Sequence, residues 1–322
     1  MSSYTQITYE ERYQIYTLLK IGKNQSEIAE FLGRDKSSIS REIRRNKGKR
    51  GYRPRQAQQY AKNRQKAVPK YKAMTDEMIQ SIESELRHEW SPEQISGRAK
   101  LVGRPTVSHE TIYQHIWKDK QQGGDLYKSL RCQGKKYQKR RNGKSTRGAI
   151  KNAVSIDKRP KAVDEMKRVG DWEIDTVIGK NHKGAIVTIV EKKTRFLTAA
   201  LVSSKHAEPV TSATLTLLTS FKGRLHTITA DNGKEFAYHE EITEKLGAKV
   251  YFAHPYSSWE RGLNENTNGL LRQYFPKGTD FTQLTQAEID FAVARINNRP
   301  RKVLGFKTAT EMMDKSLSRL AA

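Results

Sequence analysis

GDWEIDTVIGK, residues 170–180, decides how this 322-residue chain is read. Trp172, Ile174, Val177 and Ile178 mark Asp171–Ile178 as a buried strand. Asp171, Glu173 and Asp175 alternate with the apolar residues, so all three share one face. Both strand propensity and the cost of burying charge disfavour an acid at Asp175 unless it has a task or a partner. Outward from this stretch, Gly184–Glu191 and Phe196–Val202 read as further strands separated by polar turns. A helix over Ala207–Ser220, a strand over Leu225–Ala230, a helix over Tyr238–Leu246 and a strand over Lys249–Phe252 follow. Three strands, then helix, strand, helix, strand, helix predict an α/β layer with a mixed sheet.

Two further acids stand out. Asp231, in TADNGKEF, lies where a strand ends, with Asn-Gly after it to turn the chain. Glu265 lies in ERGLNENTNGLLRQYF, where Leu263, Thr267, Leu270 and Tyr274 predict one packing stripe of a helix. Glu265 is about 200° around from Leu263, and Arg272, seven residues on, shares its face roughly 10.5 Å along the axis. Read alone, Asp231 is an ordinary turn residue, and Glu265 and Arg272 are a solvated pair on a helix surface.

Charge divides the chain. Lys and Arg number 60 against 35 Asp and Glu, a net of +25. Residues 170–322 hold 21 Lys and Arg against 17 acids, a net of +4, so residues 1–169 carry +21. A strongly basic half disfavours an ordinary metabolic enzyme and points to a polyanionic partner. Residues 41–72 contain thirteen Lys and Arg and one acid, Glu42, and residues 131–156 contain no acid. The second stretch is too polar to fold alone and is expected to be a linker that tracks phosphates. No apolar run reaches the ~18 residues of a membrane span. MSSYTQITYEER lacks an export pattern. A single cysteine, Cys132, excludes an internal disulfide and predicts a free thiol in a reducing cytoplasm.

The basic half reads as helices. Thr8-x-x-Glu11 fits a capping box, followed by Ile15, Leu18 and Leu19 at helical spacing. Helices over Gln25–Leu32 and Lys36–Arg45, joined by Gly33-Arg34-Asp35, give a helix-turn-helix with Ala29 and Ile39 inside. Lys36, Ser37, Ser40, Arg41 and Arg44 would face outward, toward phosphates and base edges. A second helical unit includes Met78–Leu86, a helix capped by Ser91-Pro92-Glu93-Gln94 and one over Ser108–Trp117. Its outer face carries His109 and Tyr113, and it reads as a DNA reader, a spacer or a dimerisation element. The expected organisation is 1–60 and 61–130 as DNA-binding units, 131–165 as a basic linker and 166–322 as the sheet domain.

WEIDT, TADNGKEF and the helix with Glu265 together resemble the catalytic core of DDE transposases and retroviral integrases. The 33 residues between Asp231 and Glu265 and the basic Arg272 seven beyond fit that pattern. GDWEIDTVIGK, the amino-terminal helix-turn-helix and NNRPRKVLGFKTATEMM resemble bacterial insertion-sequence transposases of the IS-thirty family. Ala309 stands where that pattern has Pro. The resemblance implies an α/β ribonuclease-H-like core preceded by all-α helix-turn-helix units. It implies that Asp175, Asp231 and Glu265 bind two divalent cations, Mg²⁺ by preference with Mn²⁺ able to substitute. Asn268 and Arg272 would hold the DNA backbone beside the scissile bond. Two carboxylates ~4 Å apart repel by about 4 kcal/mol at an effective dielectric near 20, so clustered acids need a cation. The implied reaction cleaves the element's terminal inverted repeats and joins the 3′-ends to target DNA. A homodimer or larger assembly on double-stranded DNA is expected, in the cytoplasm and at the nucleoid. A regulator whose sheet only dimerises leaves the three acids unexplained, and a ribonuclease-H-like nuclease would cut without joining.

Overall fold

The computed structural model describes residues 6–67, 74–131, 150–255 and 257–318. Cys132 and most of the acid-free stretch 131–156 lie outside the described residues. The chain divides into two compact units, Met1–Lys72 and Ala73–Ala322.

In the first unit, α1 (Tyr9–Lys20), α2 (Gln25–Phe31) and α3 (Lys36–Asn46) begin at side-chain caps on Thr8, Asn24 and Asp35. Thr8/Glu11 and Asn24/Glu27 form complete capping boxes, each cap contributing about 1 kcal/mol. Ile15, Ile28, Ala29 and Ile39 close the core. The basic stretch after α3 is folded as well. A short hairpin, β1 (Lys47–Gly48) and β2 (Gly51–Tyr52), leads into α4 (Pro54–Ala67), and Tyr52 and Ala57 complete the core. Glu42, the one acid of that stretch, takes a buried ion pair from Arg12 at 2.8 Å and a hydrogen bond from the Tyr52 hydroxyl.

The second unit opens with α5 (Asp76–Arg87), α6 (Pro92–Leu101) and α7 (His109–Gln121), packed around Ile82, Leu86, Ile95, Ile112 and Ile116. These helices are docked on the carboxy-terminal segment. Arg98 pairs with Glu311, Glu93 with Lys302, and Glu89 with Arg299 and the Tyr274 hydroxyl. Gly97 is required there, because a Cβ would lie 2.3 Å from the Phe306 ring.

The sheet comprises β3 (Asp171–Ile178), β4 (Ala185–Glu191), β5 (Leu197–Val202), β6 (Thr227–Ala230) and β7 (Lys249–Phe252), ordered β5-β4-β3-β6-β7. β3, β4 and β5 pair antiparallel, whereas β6 pairs parallel with both β3 and β7. Helices cover both faces. On one, Trp172, Ile174, Val187 and Ile189 meet α8 (Ala207–Thr219), α9 (His239–Leu246) and α12 (Ala309–Ser318). On the other, Val177, Ile186, Val190 and Leu197 meet α10 (Gly262–Tyr274) and α11 (Gln286–Asn297). All seven residues of β4 are buried, because alternate side chains enter opposite cores. Gly170 sits at φ +111°, where a Cβ would strike the Arg224 carbonyl at 1.9 Å, so it fixes the entry to β3. Residues 150–165, within the expected linker, include the buried Val163 and lie along the sheet edge, where Phe252 N–H donates to the Val154 carbonyl.

Candidate active site

Strand register brings the first two acids together. Asp171, Trp172 and Glu173 of β3 stand opposite Thr227, Ile228 and Thr229 of β6. Carried two residues further, that offset sets Asp175 beside Asp231, on strands ~4.8 Å apart. Arg261 lies between them, with Nη1 3.6 Å from Asp175 Oδ2 and Nη2 3.3 Å from Asp231 Oδ2. Nothing in the sequence singled out Arg261. Asp175 also accepts from the Asn268 amide at 2.9 Å and from Thr176 N–H at 2.8 Å. Asp231 accepts from Gly233 N–H at 2.8 Å, which folds the Asn-Gly turn around the carboxylate. Burial pushes the Asp175 carboxyl above its usual range; Arg261 opposes that shift, and the negative charge of Asp231 adds to it.

The other two acids of the β3 face are satisfied internally. Asp171 is clamped by both arms of Arg168, at 2.7 and 3.0 Å, and by the Thr227 hydroxyl. Glu173 takes Lys192 Nζ at 2.6 Å and the Asn264 N–H at 3.3 Å, and both members of the ion pair are buried. Asp171 and Glu173 are 1% exposed, whereas the Asp175 and Asp231 side chains are 22% and 20% exposed. The pair open to solvent is therefore the pair able to receive a ligand.

Glu265 is exposed on the first turn of α10, three residues before Asn268. The helix is rotated from the expected stripe: Asn264, Thr267 and Leu271 are buried, while Leu263, Leu270 and Tyr274 are only partly covered. In that rotation the Asn268 amide donates to Asp175 and the backbone N–H of Asn264 to Glu173, contacts that an apolar pattern does not contain. Among the described residues, no three His, Cys, Asp or Glu side chains are gathered in metal-binding geometry. Asp175 and Asp231 nevertheless converge on one cationic group, and an all-oxygen donor pair suits a hard divalent cation.

An integrase core domain model matches residues 167–258, and a helix-turn-helix domain model matches residues 3–46. The transposase for insertion sequence element IS4351 of Bacteroides fragilis is 49% identical, over 95% of this chain and 94% of the relative. Transposase InsI for insertion sequence element IS30A of Escherichia coli (strain K12) is 36% identical, over 97% of this chain and 84% of the relative. The chain belongs to the IS30 family of insertion-sequence transposases. A solved catalytic core domain of BIV integrase aligns over 48% of this chain and 99% of that chain, with 21% identity and a TM-score of 0.38.

In this transposase, the residues expected to grip DNA fall into two groups. On α3, Lys36, Ser37, Arg41 and Arg44 are exposed and Ser40 is half-buried, so the helix presents the basic face expected of it. His109 is exposed on α7, but Tyr113 is half-buried against the core of α5–α7. Near the carboxylates, Asn268 spans the Asp175 carboxylate and the Thr188 hydroxyl. Arg272 donates to the carbonyls of Ile178, Phe275 and Pro276 and lies over the Phe281 ring. Both side chains are engaged in holding α10 on the sheet. Among the described residues, no helix is long and apolar enough to cross a membrane.

Proposed function

We propose that Asp175 and Asp231, joined by Glu265, form the site at which this transposase cleaves the ends of its element and joins them to target DNA. The observation that carries this reading is the convergence of Asp175 and Asp231, from adjacent parallel strands, on one guanidinium. Two divalent cations bound by these carboxylates, Mg²⁺ by preference, would supply activation of the attacking oxygen and neutralisation of charge on the departing one. The protein's own part is positional. The β3–β6 register fixes the spacing of the two aspartates, and Asn268 and Thr176 orient Asp175. Arg261 balances the two like charges. Glu265, exposed on the first turn of α10, would complete the set of acids.

In cleavage, water attacks the phosphodiester at the element boundary and the 3′-oxygen departs as a hydroxyl. In joining, that hydroxyl attacks a target phosphodiester and displaces the target's own 3′-oxygen. The helix-turn-helix of the first unit would bring the terminal inverted repeats to the site, with Lys36, Arg41 and Arg44 on the duplex. Two ends processed together call for a dimer or larger assembly on DNA, which light scattering of the complex would detect. The protein would act on nucleoid DNA in the cytoplasm.

The test uses a supercoiled plasmid carrying the flanking DNA of the gene. Wild type, Asp231→Asn and Glu265→Gln are incubated with Mg²⁺ or chelator, and products are mapped by primer extension. Boundary nicks and joined products that require metal and both acids are expected, with losses of about 10²–10³-fold in the variants and DNA binding retained. Substantial metal-dependent cleavage by Asp231→Asn would overturn the assignment.

A further inference from the structure

We propose that a cleft on the flank of α10, containing Arg195 and Arg301, is a second phosphate-binding site that holds DNA backbone next to the scissile bond; its assignment to DNA rests on the transposase reading above. The cleft has a volume of about 740 Å³ and is bordered by Gly262, Leu263 and Asn266 of α10. Gly262 directly follows Arg261 and Asn266 directly follows Glu265, so the cleft and the carboxylate site border the same helix.

Most charges lining this cleft are neutralised within it. Glu173 is paired with Lys192, Asp164 with Arg159, and His254 bridges Glu260 and Asp157. Lys161, Arg195 and Arg301 have no ion-pair partner among the described residues, although the carboxylates of Glu173 and Glu191 act on Arg195 from nearby. Arg195 Nη2 reaches only the Met166 sulfur, at 3.2 Å, and Arg301 Nη2 reaches only the Ile296 carbonyl, at 3.3 Å. The Nε atoms of both are buried without a hydrogen-bond partner among the described residues. Burial, then the like charges of Arg299 and Arg195, pull Arg301 down to about 10. Arg301 thus meets like charges where solvent is scarce, with the Arg195 charge offset in part by Glu173 and Glu191, and an anion would relieve what remains.

The backbone supports the same conclusion. Arg195 adopts φ +64°, a left-handed conformation unfavourable for a residue that carries a Cβ. The turn that imposes it is held by Glu191, whose carboxylate accepts from Thr194 N–H, the Thr194 hydroxyl and Gly170 N–H. Arg301 is fixed by its N–H to the Lys307 carbonyl and by Phe306 N–H to its own carbonyl. Two pre-positioned guanidinium groups match phosphate geometry and lose little freedom on binding it.

The test uses the full chain and a duplex carrying the element end. Phosphate-ethylation interference is read on binding in chelator and on cleavage in Mg²⁺, and the salt dependence of binding is measured alongside. Arg195→Gln and Arg301→Gln are each expected to lower the slope of log K against log salt by about 0.9. For each lost contact, the fall in affinity between 50 and 200 mM salt becomes about 3–4-fold smaller. Ethylated phosphates close to the cleavage position should inhibit wild type and cease to matter in the variants. Interference across the helix-turn-helix footprint should stay the same. Arg195→Lys and Arg301→Lys retain the charge and should keep most of the slope; they decide the matter if a Gln variant melts early. An unchanged slope with an unchanged interference pattern overturns the proposal. If wild type cleaves under no metal, the transposition reading fails, while interference on binding still decides the cleft.

Discussion

Replacing Lys192 with Met is the sharpest test of why Asp175, and not Glu173, is the open acid of β3. The two share a strand face, but Glu173 is 1% exposed and is matched by Lys192 at 2.6 Å. Lys192→Met keeps most of the side-chain volume and removes the charge. The Glu173 carboxylate is then left with the Asn264 N–H, at 3.3 Å, as its hydrogen-bond donor among the described residues, and with the more distant Arg195 charge. Removing one member of a buried ion pair costs about 3–5 kcal/mol. At roughly 2–4 °C per kcal/mol for a body of this size, melting should fall by about 6–20 °C. Calorimetry on wild type, Lys192→Met, Glu173→Gln and the double variant gives the coupling between the two residues. The double variant should lose clearly less than the two single losses added together. Below its melting range, Glu173→Gln should still cleave DNA, whereas Asp175→Asn should not. A Lys192→Met protein melting within ~2 °C of wild type would refute the reasoning, because Glu173 would then need no internal cation and would rank equally with Asp175.

Two other expectations follow from single contacts. Gly97→Ala normally favours a helix by 0.5–1 kcal/mol, but here the new methyl meets the Phe306 ring. A net destabilisation of about 1–3 kcal/mol is expected, together with faster proteolysis between α5–α7 and the sheet; a stabilised variant would contradict the docking. His254 is held above its usual value by hydrogen bonds to Glu260 and then Asp157. Its contribution to stability is complete below the unfolded-chain value near 6.5 and is lost as pH rises through the higher folded value. A ring-proton NMR titration with its midpoint at or below 6.5 would remove that interaction.

Local chemistry made much of this protein legible in its sequence. Thr8 with Glu11 and Ser91 with Gln94 announce helix starts, because a cap and its partner are neighbours in the chain. Alternation in DWEIDTVI and the near-continuous apolar run AIVTIVE announce strands, the second covered on both faces. Asp175 could be picked out because it sits inside a strand that has no use for a charge, whereas Asp231, just past a strand end, stood out only beside the other motifs. The fold of residues 47–67 was not legible: their Lys and Arg content concealed a helix anchored by Tyr52 and Ala57, two small contributions to a distant core.

Tertiary structure decided the rest, through contacts between remote segments. Nothing local sets the β3–β6 offset that places Asp175 beside Asp231, nor sends Arg261 between them. Nothing local gives Lys192 to Glu173 and thereby withdraws that acid from the site. Apolar spacing predicted one face of α10, whereas the packed helix turns Asn264 inward and places the Asn268 amide on Asp175. Sequence alone settles which residues carry charge and, outside residues 47–67, announces most of the helices and strands, since caps and apolar spacing are properties of neighbours. Which charges cancel and which remain open depends on distances across the fold, and only the packed sheet and its helices set those distances.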